Sequence, residues 1–302
     1  MTPPNKLTIA TAQYPIDELK TNFDWQDKIE RWVVEAKATG AELLVFPEYG
    51  AIEQAAAFGG ETSRDLKKTL SAVASVAGER VAFQSSLAAE HNVHILIGSG
   101  PFEVADGRVT NSAQLVTPAG HVGTATKSMM TPFERDWGVV AGEPLCVFDT
   151  AIGRIGVAIC YDSEFPLLVR ALVAAGADMI LVPSCTERIS GSYRIAIAAM
   201  ARALENTCAV VVSQTVGDAL WSPAVDVNCG RSGIYVPAEH GVSDTGALVK
   251  GEWNKPEWVV GEVDFARLRL LKDSGEMRNA SDWDRQPGTQ LTLPEVEVVD
   301  LR

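Results

Sequence analysis

The sequence predicts an α/β protein, with two packed sheets carrying helices on the outside. Three observations carry that expectation. Short runs rich in Val, Ile and Leu recur along the 302 residues, helical patterns separate several of them, and tight turns join strands in the middle. Helix crossovers imply parallel pairs, and tight turns imply antiparallel ones. About ten strands of both kinds are easier to house in two sheets than in one open sheet.

The elements follow in order. The first strand, "KLTIATAQ", leads into a helix over "NFDWQDKIERWVVEAKA", and "AELLVFPE" supplies a second strand. A long helical pattern, "ETSRDLKKTLSAVASVAGERVAFQSSLAAE", precedes the strand "VHILIGSG". The segment "GRVTNSAQLVTPAGHVGTATKSM" reads as a hairpin turning at Pro118, Ala119 and Gly120. "LCVFDTAIGRIGVAICY" reads as another, turning at Ala151, Ile152 and Gly153. The helices "FPLLVRALVAAG" and "SYRIAIAAMARALEN" then alternate with the strands "ADMILVPS" and "CAVVVSQT", and "EWVVGEVD" adds a late strand. No repeat or linker interrupts the chain. It reads as a single domain, 1–302, with an irregular extension from about Gly275.

Composition excludes several classes of partner. A net charge of −13, from 26 basic and 39 acidic residues, repels phosphate backbones and anionic membranes, so neither a nucleic-acid nor a membrane partner is expected. The N-terminal "MTPPNKLTIATAQYP" lacks a basic region followed by an apolar run and a cleavage site, and the expected location is cytoplasmic. Cys146, Cys160, Cys185, Cys208 and Cys229 are odd in number and widely spaced. They suit neither a disulfide framework nor a metal site, and fit a reducing compartment.

Three residues stand at strand ends. "LLVFPEYG" runs an apolar strand into Pro47 and places Glu48 beyond it, where a Glu is ordinarily a solvated loop residue. Lys127 closes a hairpin strand, where a Lys is ordinarily surface charge. The segment after it, with Pro132, Phe133, Glu134 and Trp137, mixes bulky apolar residues and charges in a way that suits a pocket wall. Cys160 ends the strand "GVAI" before a helix beginning near Phe165, the strand-turn-helix geometry of a nucleophile elbow. Backbone N–H groups there can lower a thiol pKa and receive an oxyanion. None of His91, His94, His121 and His240 sits in an obvious site context, so another group must take the thiol proton.

Taken together, "FPE" at 46–48, "TKSMMTPFE" at 126–134 and "GVAICYDSEFP" at 156–166 resemble the nitrilase superfamily of carbon-nitrogen hydrolases. The resemblance runs over nearly the whole chain and includes "GADMILVPS" and "ARALENTCAVVVSQTVG". It implies a four-layer α-β-β-α sandwich with two mixed sheets, no metal or cofactor, and pairing into homodimers or larger homo-oligomers. It also implies Glu48 as general base, Lys127 as the cation for the oxyanion, Cys160 as nucleophile and Glu134 as a second glutamate positioning substrate. The backbone N–H of Tyr161 would join Lys127 at the oxyanion. Tyr161 and Asp162 after the cysteine resemble amidases more than nitrilases, so a small-molecule amide is the expected substrate. N-carbamoyl hydrolysis, nitrile hydrolysis, acyl transfer and a non-catalytic binding role on the same fold are the alternatives.

Within the superfamily, "VPSCTERISGSYRI", "VGDALWSPAVDVNCG" and "LLKDSGEMRNASDW" resemble a poorly characterised branch, some of whose members carry an acetyltransferase-like domain. Omega-amidases carry Arg two residues after the Asp, where this chain has Glu164, which argues against acidic substrates. Tyr49, Phe133, Arg188 and Trp221 are the expected pocket walls. Asp162 is expected to shape the turn, and Arg202 with Glu205 to form a helix-face or interface pair.

Overall fold

The computed structural model describes residues 4–142 and 144–302. The first half of the chain supplies β1 (Lys6–Pro15), β2 (Leu43–Val45), β3 (His94–Glu103), β4 (Val109–Val116), β5 (Val122–Thr126) and the short β6 (Val139–Val140). The second supplies β7 (Leu145–Thr150), β8 (Gly153–Val157), β9 (Met179–Ser184), β10 (Ala209–Asp218), β11 (Val227–Asn228), β12 (Gly233–Tyr235), β13 (Ala247–Lys250), β14 (Glu257–Asp264) and β15 (Val296–Asp300). The helices that cover them include α1 (Asn22–Ala38), α2 (Gly60–Ser63), α3 (Leu66–Ser75), α4 (Ala77–His91), α5 (Pro132–Trp137), α6 (Pro166–Ala174) and α7 (Ile189–Asn206).

Strand pairing divides the sheet into two halves. In one, β14 pairs antiparallel with β1, β1 and β2 run parallel, β2 and β3 run parallel, and β3, β4 and β5 form a meander. In the other, β12 flanks β10, which runs parallel to β9; β9 and β8 run parallel, β8 and β7 form a hairpin, and β15 closes the edge. The halves meet where Gln13–Pro15 of β1 pairs with Gln214–Val216 of β10. Both expected hairpins are present.

The alternation of side chains along a strand decides what each half covers. Leu7, Ile9, Leu43 and Val45 join a core with Val147, Ile155 and Leu181 of the other half. The intervening Ala10, Ala12, Leu44 and Phe46 pack instead with Trp25, Ile29 and Val33 of α1 and Leu87 of α4. On the far side, Val169 and Leu172 of α6 and Ile195, Ala199 and Ala203 of α7 pack onto the second half. This is the order expected of an α-β-β-α sandwich.

Two expectations change. The pattern over 61–90 is not one helix: Asp65 caps α3 by accepting from the Lys68 N–H, and α3 and α4 are separate helices flanking Val76. A short polar side chain that bonds its own backbone competes with helix continuation, which the apolar pattern does not reveal. The tail after Gly275 also does not stay irregular. It ends in β15, which runs parallel to β7 and buries Leu301. In "VEVVD" the acidic residues face solvent, and a short edge strand of this kind carries little signal alone.

Candidate active site

Glu48 lies just past β2 and is only 2% exposed, so it is no solvated loop residue. Pro47 ends the strand, and its carbonyl accepts from the Ser99 N–H at 3.1 Å. That contact needs Gly98, whose φ is +74° and whose missing Cβ would lie 2.3 Å from the Pro47 oxygen. Lys127 follows β5 and is 1% exposed, not surface charge, with its N–H donating to the Asn111 carbonyl on β4. Glu134 lies in α5, whose Thr131 hydroxyl caps the Glu134 N–H while the Glu134 carboxylate accepts from the Thr131 N–H.

Cys160 opens a 3-10 turn, Cys160–Glu164, with α6 starting behind it at Pro166. Its φ of +47° is a left-handed conformation rare for a residue with a Cβ, and it is held in place. Asp162 does the holding, as expected, by accepting from the N–H groups of Ile159, Ser128 and Met129. Burial pushes its carboxyl up to about 7, although these backbone donors favour the ionised form. One buried carboxylate thus ties the cysteine turn to the backbone just after Lys127.

The three strand ends converge. Lys127 Nζ is 2.7 Å from Glu48 Oε1 and 2.7 Å from Glu134 Oε2. Burial opposes the ammonium, but the charges of Glu48 and Glu134 outweigh it and hold Lys127 well above the ordinary lysine range. Two attractions of about 4 kcal/mol each, for charges about 4 Å apart at an effective dielectric of 20, are enough to explain that result. Burial raises Glu48 above the ordinary carboxylate range despite Lys127, whereas Lys127, Thr131 and Asn111 together overcome burial and lower Glu134.

Donor counts separate the two glutamates. Glu134 accepts five hydrogen bonds, from Tyr49 Oη and Asn111 Nδ2 at Oε1, and from Lys127 Nζ, Thr131 N and Thr131 Oγ1 at Oε2. A carboxylate offers about four lone-pair sites, so Glu134 is saturated. Glu48 accepts three, from Lys127 Nζ and Asn111 Nδ2 at Oε1 and from the Cys185 N–H at Oε2. Glu48 alone keeps room for a proton.

The thiol departs from expectation. Burial and the Glu48 charge raise Cys160 well above the ordinary thiol range, with Lys127 opposing, so the turn does not leave a thiolate. Its Sγ is 3.9 Å from the Cys185 carbonyl oxygen. A neutral thiol facing a carboxylate of raised basicity suits proton transfer during attack rather than before it.

A cavity of about 550 Å³ opens above these groups, and Tyr49, Phe133, Trp137, Tyr161 and Arg188 line its walls. Trp221, expected there, instead packs against the apolar cluster that also holds Ala219, Ala224 and Val225, and is absent from the lining. Glu164 lines the cavity in an ion pair with Arg194, so its charge is largely neutralised. Arg202 and Glu205 form the expected helix-face pair on α7, 3.1 Å apart. None of the four histidines lines the cavity, and among the described residues no group of three or more His, Cys, Asp or Glu could hold a metal ion.

Sequence reasoning missed Asn111, Thr131 and the Cys185 backbone. The T-x-x-E spacing of Thr131 and Glu134 is a capping-box signal that could have placed Glu134. Thr110, Asn111 and Ser112, three consecutive polar residues inside a strand, are all buried, and that pattern points to an internal polar site.

The two-part mixed sheet, with a thiol, an ammonium and two carboxylates gathered at its strand ends, has the architecture of the nitrilase superfamily. The model of the carbon-nitrogen hydrolase family matches residues 8–272, and the chain belongs to that family. It is 32% identical over 275 residues to the probable hydrolase YhcX of Bacillus subtilis (strain 168), covering 91% of this chain and 53% of that relative. The chain thus spans about half that relative's length. It is 31% identical over 247 residues to a deaminated glutathione amidase of Synechocystis, covering 77% of this chain and 83% of the relative. A carbon-nitrogen hydrolase structure from Helicobacter pylori G27 superposes with a TM-score of 0.73 at 18% identity, covering 89% and 92% of the two chains.

Proposed function

We propose that the protein is a cysteine-dependent amidase that hydrolyses a small-molecule amide through a thioester on Cys160. The observation that carries this reading is that the Cys160 thiol lines the same cavity as Glu48, the one of the two glutamates that keeps a free acceptor position. Cys160 Sγ attacks the amide carbon as its proton passes to Glu48, and the carbonyl π electrons move onto oxygen. The Lys127 ammonium and the Tyr161 N–H stabilise that oxyanion. Collapse expels ammonia or an amine, which takes the proton from Glu48. Water then gives a proton to Glu48 as its oxygen adds to the thioester carbon. The C–S bond breaks, the departing sulfur takes that proton from Glu48 to restore the thiol, and the carboxylic acid released loses its proton to the freed amine or solvent. Lys127 stays protonated throughout because its two carboxylate partners outweigh burial.

The relative named an amidase is matched over 77% of this chain, whereas Nitrilase 3 of Arabidopsis thaliana is matched over 52% of it, and that difference in extent favours an amide over a nitrile. Ammonia and carbon dioxide release from a panel of small amides, nitriles and N-carbamoyl compounds, with intact-mass detection of an acyl adduct, tests the reading. Amide turnover with an adduct on Cys160 is expected. A folded wild-type protein that turns over no member of the panel, or a Cys160→Ala variant as active as wild type, contradicts it. The same reading expects self-association. The exposed apolar residues Ile189, Tyr193 and Ile197, spaced along one stripe of α7, support it. A purely monomeric sedimentation profile at micromolar concentration contradicts it.

A further inference from the structure

We propose that Asn111 is a positioning residue that holds Glu48 ionised and aimed at Cys160 by bridging it to Glu134. The inference rests on the amidase reading and extends it to a residue outside the triad. Asn111 sits in β4 with no exposed surface. Its single side-chain nitrogen donates to both carboxylates, 3.0 Å from Glu48 Oε1 and 2.9 Å from Glu134 Oε1. Both amide hydrogens are therefore spent on the acidic pair. Its backbone carbonyl receives the Lys127 N–H at 2.9 Å, so one residue contacts all three charged members of the cluster.

The other end of the side chain shows that this is more than packing. Asn111 Oδ1 is buried and has no hydrogen-bond partner. Flipping the amide would turn that oxygen toward two carboxylates, so the unpartnered arrangement is the less unfavourable one. A structural asparagine in a core satisfies both ends. This one leaves its acceptor unsatisfied to supply two donors to the glutamates.

The chemical consequence follows from where the donors fall. Lys127 and Asn111 both occupy Glu48 Oε1, and the Cys185 N–H takes one position on Oε2. The remaining position is left on Oε2. As Lys127 turns to meet a developing oxyanion, Asn111 keeps a neutral donor on Oε1, so the carboxylate neither rotates nor gains basicity at the wrong moment. A donor to a carboxylate favours its ionised form, and removing that donor raises the carboxyl pKa.

The test uses Asn111→Ala and the near-isosteric Asn111→Asp, with Gln114→Ala on the same strand as a control. Two quantities are followed against pH: alkylation of Cys160 by iodoacetamide, located by peptide mass spectrometry, and kcat/KM on an amide that wild type hydrolyses. The Asn111 variants should alkylate with the acid limb moved upward by about one pH unit. They should lose about 10- to 100-fold in kcat with KM little changed, and Asp should lose more than Ala because it adds a third carboxylate. Gln114→Ala should leave the pH profile in place. Acid limbs that overlay wild type in both Asn111 variants overturn the proposal. So does failure of both variants to fold by circular dichroism, which would make Asn111 a structural support. Alkylation needs no substrate, so a wild type inactive on all amides refutes the amidase reading while the alkylation profile still judges Asn111.

Discussion

Two buried glutamates share one lysine, yet their environments push them apart. Glu134 is lowered and saturated with donors, while burial keeps Glu48 raised with a vacant acceptor position. Paired titratable groups whose environments diverge in this way divide the labour of acid-base chemistry. With Glu48 as the proposed base, Glu48→Gln keeps the shape and removes the proton acceptor, so kcat should fall by about 100- to 10,000-fold in a steady-state ammonia assay. Loss of less than about tenfold would move the base elsewhere. The pH profile carries a second expectation. Because burial places Glu48 above the ordinary glutamate value of 4.5, activity should disappear as pH falls through a value higher than 4.5. An acid limb at or below 4.5 in kcat/KM would contradict that assignment.

At the scale of elements, one carboxylate outside the cavity lining ties two segments of the site together. Asp162 receives backbone N–H groups from both the cysteine turn and the segment after Lys127, and Asp162→Ala leaves those buried donors unpaired. The expected loss is about 2–4 kcal/mol of stability, or about 3–6 °C in thermal melts, together with slower Cys160 alkylation. Unchanged melting and alkylation would show that the positive-φ turn stands without it. Asp162, Glu48 and Cys160 were legible because each follows a strand that reads as apolar, and strand ends are where such folds gather their chemistry. Asn111 was not legible in the same way, since it lies inside a strand and acts through partners 63 and 23 residues away. The Trp221 expectation failed because an aromatic residue signals burial without saying whether the burial is against a core or a cavity.

At the scale of the molecule, the two half-sheets meet through a buried polar seam rather than through apolar packing alone. Thr11 Oγ1 donates to the Val212 carbonyl, while Ser213 Oγ and Ser232 Oγ donate to the Ala12 carbonyl. Gln13 Oε1 accepts from the Ser232 N–H at 2.7 Å, and Gln13 Nε2 donates to the Glu252 and Lys255 carbonyls, each at 2.7 Å. Gly251 lacks a Cβ where one would lie 2.3 Å from Gln13 Oε1, so the seam admits this glutamine only beside a glycine. Hydrophobic alternation foretells that there are two sheets, but not which ends join, because strand-end polar residues read as loop boundaries. Gln13 has no part in the proton path. Gln13→Ala leaves one buried N–H and two carbonyls without partners, and should remove about 2–4 kcal/mol of stability, or about 3–6 °C in thermal melts. The acid limb of Cys160 alkylation should stay where it is in wild type, since the donors to Glu48 are untouched. A shifted limb would mean that the seam governs the site's electrostatics, and an unchanged melt that water replaces the glutamine without penalty.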